Sequence, residues 1–215
     1  KKRLTKNKIN YKNLKKNFTK AETLKFINQN FKKYKIKNII IPEFIFFSKS
    51  EFNKNKKKII LDIKKKFRKK KIIIRSSSLS EDNQNLSNAG KYLSISNLRP
   101  DTKLVEQSII KIIKKFNSFK DQILVQEFIE KTEMSGVIFT REPNYNSPYY
   151  IINYDTSGKT NIITSGKNNN SIQTICIFRN KIDLNIKFRG LLKIIKSLEK
   201  IMGTDRIDIE FAKKF

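Results

Sequence analysis

Histidine is absent from the 215-residue sequence, and cysteine occurs once, at Cys176. The first absence excludes a Ser-His-Asp triad, a histidine-ligated zinc and a phosphohistidine within these residues. The second excludes an internal disulfide and a cysteine metal cluster. A lone thiol fits a reducing compartment, so a cytoplasmic location is expected. No run approaches the roughly 18 apolar residues of a membrane span. The opening residues, KKRLTKNKIN, are too polar for a signal peptide. Because the sequence begins at Lys1 and not at methionine, a fragment or trimmed chain is one expectation.

Acidic residues are also scarce: 19 Asp+Glu stand against 48 Lys+Arg, for a formal charge of +29. A basic surface can bind nucleic acid by releasing counterions from a phosphate backbone. The rival reading is a genome biased toward A and T, which over-uses lysine, asparagine and isoleucine together. The lysines are scattered, as in Lys56–Lys58, Lys64–Lys66 and Lys69–Lys71, and no zinc-finger, RNP or helix-turn-helix signature accompanies them. Nucleic acid is therefore the disfavoured partner. Hydrophobic residues at 38% and aromatics at 11% are ordinary for a folded protein with a core.

Residues 1–17 form a basic lead-in without periodicity. Thr19 followed by Glu22 is a capping-box arrangement, and Leu24, Ile27 and Phe31 follow at helical spacing, predicting a helix over 20–33. Short strands are predicted at 39–41 and 44–47, then an amphipathic helix over 51–69 with Phe52, Ile59, Ile60, Ile63 and Phe67 on one stripe. Further strands are predicted at 72–74, 92–96, 123–129 and 134–140. Those at 149–154, 161–164 and 172–178 look like an antiparallel meander. Asp101 begins a third helix, 190–202 forms a last one, and 207–211 a final strand. The order implies an α+β fold of two lobes, residues 1–118 and 119–215, with the join between Phe116 and Ile123.

Several stretches carry chemistry. Ile72–Ile74 read as a buried strand that ends in Arg75 and then Ser76, Ser77 and Ser78. A fixed guanidinium beside a hydroxyl-rich turn can bind an anion; a strand end with a solvated loop is the plainer reading. Asp208 and Glu210, two apart on a strand, share a face about 7 Å apart and suit Mg²⁺ with oxygen ligands. The alternative is the polar face of an edge strand. Gln126 and Glu127 interrupt an apolar strand and suit either a hinge near a ligand or an amphipathic strand. Arg141 is a second strand-tip arginine, or a solvated turn residue. Ser157–Gly158–Lys159 and Ser165–Gly166–Lys167 are glycine turns, and neither matches a P-loop.

In this order the segments resemble the nucleotide-binding domain of phosphoenolpyruvate synthase and pyruvate phosphate dikinase, an ATP-grasp fold. The family's R-S-S-x-x-x-E-D loop and following A-G are matched by Arg75, Ser76, Ser77, Glu81, Asp82, Ala89 and Gly90. Its V-Q and S-G-V-x-F-T-R-x-P signature is matched by Val125, Gln126, Ser135, Gly136, Val137, Phe139, Thr140, Arg141 and Pro143. Its D-I-E-[WF]-A is matched by Asp208, Ile209, Glu210, Phe211 and Ala212.

The resemblance implies ATP between antiparallel sheets, with Arg75 on the phosphates, Asp208 and Glu210 holding Mg²⁺, and Gln126 on the hinge strand near adenine. Ser76, Glu127 and Arg141 fall in the matched segments as further nucleotide contacts, and Lys20 corresponds to the lysine of a G-G-K-G segment whose glycines are missing here. The family's G-L-G-E also departs, to Ser157–Gly158–Lys159–Thr160. The family continues with an L-Q-x-R-P strand, while the sequence given stops at Phe215. The expectation is a truncated chain or one domain of a larger protein. The implied activity is ATP-dependent phosphotransfer of kinase or dikinase type. The phosphoryl group would pass to a histidine on a separate domain and then to pyruvate or a related acceptor, with those domains in cis or on another chain. The alternatives are a basic module for nucleic acid or a membrane surface, and a non-catalytic relative.

Overall fold

A computed structural model describes residues 18–34, 36, 39–78, 93–158 and 171–214. The basic lead-in, the motif residues Glu81, Asp82, Ala89 and Gly90, and the strand expected at 161–164 lie outside the described residues. So do Lys159, Thr160 and the turn at 165–167.

The elements run α1 (Lys20–Tyr34), β1 (Phe44–Ser48), α2 (Lys49–Lys66), β2 (Ile72–Ser77), β3 (Ser94–Leu98), α3 (Thr102–Ile113) and β4 (Gln122–Glu127). Then come β5 (Met134–Phe139), β6 (Tyr149–Asp155), β7 (Gln173–Phe178), a 3₁₀ segment (Arg179–Leu184), α4 (Ile186–Met202) and β8 (Asp208–Lys213). The strands form two four-stranded sheets, ordered β1-β4-β2-β3 and β7-β6-β5-β8, and all pairings are antiparallel. This is the α+β class expected from the sequence.

Strand alternation decides what each sheet buries. In the first, Ile72, Ile74, Ile123, Val125 and Phe47 pack against Phe52, Ile60 and Ile63 of α2 and Val105, Ile109 and Ile112 of α3. Each such side chain removed from water contributes about 1.5–3 kcal/mol. The intervening positions, among them Ile73, Arg75, Leu124 and Gln126, belong to the opposite face. In the second sheet Met134, Ile138, Ile152 and Tyr154 pack on Phe188, Leu192, Ile195 and Leu198 of α4. The opposite face carries Val137 and Phe139, in register with Glu210 and Asp208.

Gly136 is required by packing. A Cβ there would lie 2.3 Å from the Asn153 carbonyl oxygen and 2.7 Å from the Phe211 ring, its partner in the β5–β8 register. The aromatic position of D-I-E-[WF]-A thus covers the glycine of S-G-V, and both serve the sheet.

Three expectations need correction. Residues 39–41 form no strand: Pro42 follows without an N–H to donate, and Ile39 packs on the second core as irregular chain. The strand expected at 92–96 runs 94–98, because its partner is Ile72–Arg75 with an irregular register between Ile72 and Ile74. The last helix begins at Ile186, where the Asn185 side chain accepts from the Phe188 N–H as N-cap.

Two elements also cross the 118/119 division. β4 lies between β1 and β2, where a strand with Ile123, Leu124 and Val125 all buried belongs. α1 begins at the end of the first sheet, yet Ile27 and Phe31 pack on the second core.

Candidate functional site

β2 does not end at Arg75 but runs on through Ser76 and Ser77, which pair with Ile123 and Gln122. These two serines, expected in a turn, are strand residues. Alternation still points Arg75 away from α2 and α3. There the Arg75 Nη1 donates to Glu210 Oε2 at 3.1 Å, joining the two sheets. Arg75 is 24% exposed and Glu210 54%, so solvent screens the pair and its worth is about 0–1 kcal/mol. A contact that weak can be exchanged for a ligand. The Arg75 Nε is buried and has no hydrogen-bond partner among the described residues. A buried guanidinium N–H left unpaired is costly, and an acceptor arriving between the sheets would satisfy it.

Asp208 and Glu210 lie opposite Phe139 and Val137 on β8, and both are exposed. No group of three or more His, Cys, Asp or Glu gathers among the described residues. Two carboxylates on one strand face nonetheless fit Mg²⁺, which takes one or two carboxylates and completes its shell with phosphate oxygens and water.

The aim of β8 is set by the preceding turn. Thr140, fully buried, donates its hydroxyl to the Asp205 carbonyl at 2.7 Å and accepts the Ile207 N–H at 2.9 Å. Arg141 donates through Nε and Nη2 to Asp205 Oδ2 at 2.9 and 2.6 Å, and through Nη1 to the Asn146 carbonyl at 3.2 Å. Hydrogen bonding to the Arg141 guanidinium holds the Asp205 carboxyl below the ordinary aspartate range. Arg141 is therefore engaged by the fold, and the F-T-R segment orients the D-I-E segment.

A second layer stands behind this turn. Arg179 forks onto Glu199 at 2.7 and 2.9 Å and donates to the Thr140 carbonyl at 2.6 Å, with its guanidinium 4.6 Å from the Tyr150 ring centre. Burial first, and then the Glu199 charge, push the Tyr150 hydroxyl up to about 12. Sequence reading missed this cluster; its signal was Glu199 and Tyr150 at positions where the apolar pattern calls for a core residue.

Lys20 is the exposed first residue of α1. The capping box at Thr19 and Glu22 is formed, with the Thr19 N–H on Glu22 Oε2 at 2.9 Å and the Glu22 N–H on Thr19 Oγ1 at 3.2 Å. Its members also bind the first sheet: the Thr19 hydroxyl donates to Gln122 Oε1 at 2.6 Å, and the Ala21 N–H to Ser77 Oγ at 3.0 Å. The start of α1, with Lys20 as its first residue, is thus fixed at the Ser77 end of β2.

Other expected residues are placed elsewhere. Ser76 is buried on the core side, and its N–H donates to the Leu93 carbonyl at 3.2 Å. The Ser78 hydroxyl donates to Asp121 at 2.6 Å, so the serine run holds chain to chain. Gln126 shares the Arg75 face, diagonal to it across the β2–β4 ladder. Glu127 takes the other face, where Lys70 binds it at 2.8 Å and Glu43 at 2.9 Å. Those two hydrogen bonds hold the Lys70 ammonium above the ordinary lysine range.

No protein-family model and no curated protein matches the chain. Among solved structures it is similar to a dinucleotide-forming acetyl-coenzyme A synthetase 1 of Ca. Korarchaeum cryptofilum, in complex with coenzyme A, Ca-AMPCP and HgCl⁺. The identity is 13% and the TM-score 0.47, over 92% of this chain and 87% of that one. It is also similar to D-alanyl-alanine synthetase A of Vibrio cholerae, at 14% identity and a TM-score of 0.41, over 86% of this chain. The match covers 49% of that enzyme's chain, about half its length.

Proposed function

We propose that the chain is an ATP-grasp nucleotide-binding domain of a phosphoenolpyruvate-synthase-like phosphotransferase. ATP lies between the two sheets, and residues 128–133 serve as the link between the lobes. The observation that carries this reading is the Arg75–Glu210 contact at 3.1 Å. It joins the first and third matched segments, 135 residues apart, on the sheet faces that α2, α3 and α4 leave uncovered.

In this reading Arg75 exchanges Glu210 for phosphate oxygens, and its Nε finds there the acceptor it lacks. Lys20 adds a second cation from the start of α1. Asp208 and Glu210 hold Mg²⁺, whose charge offsets that of the phosphates during transfer. Gln126 faces the purine, flanked by the apolar positions Ile73 and Leu124. Thr140 and Arg141 act on β8 from behind. The chain contributes positioning and charge stabilisation, the main protein terms in phosphoryl transfer. With no histidine among its 215 residues, the acceptor histidine of this reading lies outside them, as do the sites for pyruvate or a related acceptor.

Equilibrium dialysis with a non-hydrolysable ATP analogue tests the reading. Saturable, Mg²⁺-dependent binding is expected, with only weak and steeply salt-dependent uptake of a random DNA duplex. Tight duplex binding with no nucleotide signal would replace it by a nucleic-acid module.

A further inference from the structure

The start of β2, the end of β3, the link after β4 and the end of β8 meet around a cavity of about 490 Å³, and Arg75 is not part of its lining. Small-molecule sites commonly span about 300–1,000 Å³. Six of the ten lining residues are cationic, Arg68, Lys69, Lys70, Lys71, Arg99 and Lys214, whereas the whole chain has 48 Lys+Arg in 215. Four of the six come from the consecutive run Arg68–Lys71, and the fold brings Arg99 and Lys214 to it from elsewhere in the sequence.

The two carboxylates in the lining, Glu127 and Glu130, are committed. Glu127 pairs with Lys70 at 2.8 Å, Glu130 pairs with Lys71 at 2.6 Å, and Glu43 adds to Lys70 at 2.9 Å from outside the cavity. No ion pair engages Arg68, Lys69, Arg99 or Lys214 among the described residues. Four positive charges with no ion-pair partner among the described residues repel each other around one concavity, and a compact polyanion relieves that repulsion.

We propose that this cavity binds a small polyphosphate anion, at a site separate from the Arg75 site and independent of the phosphotransferase reading. Phosphate suits the lining because a guanidinium can meet it with two N–H donors while ammonium groups meet it as point charges. The anion is either an inorganic phosphate chain or the triphosphate of a nucleotide.

Calorimetric titration of the full chain with inorganic tripolyphosphate, without Mg²⁺, tests this. Saturable binding is expected to weaken about tenfold in the double variant Lys69→Ala/Arg99→Ala, as loss of charge-assisted hydrogen bonds implies. Binding should survive in Arg75→Ala. The control Lys57→Ala/Lys58→Ala removes the same charge from the exposed side of α2 and should change little. Displacement by ATP in Arg75→Ala would identify the nucleotide as the source, and failure of ATP to displace would identify the inorganic chain. Loss in Arg75→Ala with none in Lys69→Ala/Arg99→Ala would overturn the proposal, as would equal weakening in the control or no binding at all. Lys57, Lys58, Lys69 and Arg99 are exposed, so unfolding does not confuse the comparison of the two double variants. A thermal melt of the half-buried Arg75→Ala checks that variant's fold. Nucleotide binding at the Arg75 site can fail or succeed without changing this outcome.

Discussion

Arg75 lies within β2 and Arg141 just past the end of β5, each on a strand whose alternate residues fill a core. Their surroundings differ. Arg141 is held by Asp205 through two nitrogens and by the Asn146 carbonyl through the third. Arg75 makes one screened contact to Glu210 and keeps a buried Nε without a partner among the described residues. An arginine that the fold saturates is part of the fold. One that the fold delivers and leaves under-satisfied is available to a ligand. Residue type is the same, and the partners each guanidinium finds separate the two roles.

The comparison can be broken hardest at the root of the second tip. Gly136→Ala forces a Cβ into the Asn153 carbonyl, a backbone atom that cannot rotate away. A loss of about 3 kcal/mol is expected from urea unfolding, at the upper end for overpacking. Arg75→Ala should leave stability within about 1 kcal/mol, since its ion pair is screened. Nucleotide affinity should meanwhile fall about 10- to 100-fold by calorimetry, as expected for lost charge-assisted hydrogen bonds.

Thr140→Val removes the buried hydroxyl between Asp205 and Ile207 and should cost about 1–3 kcal/mol in the same unfolding assay. Arg141→Ala should cost about 1 kcal/mol at neutral pH, because its partner Asp205 is partly exposed. The smallest effect is in pH. The Asp205 carboxyl is held below its ordinary value of 3.8, so its pairing stabilises the fold above that value and loses the contribution as pH falls through the lowered one. The deficit of Arg141→Ala should therefore be full at neutral pH and shrink in strongly acidic solution. A deficit unchanged across that range would assign it to lost packing.

The two arginines also show how far the sequence is legible. Ile72–Ile74 and Arg75, Asp208 with Glu210, and the capping box at Thr19 and Glu22 are local patterns. Alternation and helical spacing translate them directly into faces and caps. The polar face of the β2–β4 ladder was legible for Gln126. It was ambiguous for Glu127, because two adjacent polar residues cannot share a face and only the partner Lys70 decides which way each points. What the sequence could not supply was pairing across distance. Nothing local ties Arg141 to Asp205, 64 residues away, or Arg179 to Glu199 and the Thr140 carbonyl. For the same reason the serines after Arg75 read as anion ligands, when two of them are consumed by Ala21 and Asp121. The strand expected at 39–41 failed on a different ground: an apolar run needs a ladder partner to become a strand, and Pro42 ends the run without an N–H.

The most direct test of the distinction is calorimetric titration of Mg²⁺ with a non-hydrolysable ATP analogue into the wild-type chain, Arg75→Ala and Arg141→Ala under one buffer condition. Affinity should collapse in Arg75→Ala and change less than about fivefold in Arg141→Ala, a difference under about 1 kcal/mol. Equal loss in both, or loss in Arg141→Ala alone, would contradict the assignment of Arg75 to the ligand and Arg141 to the fold.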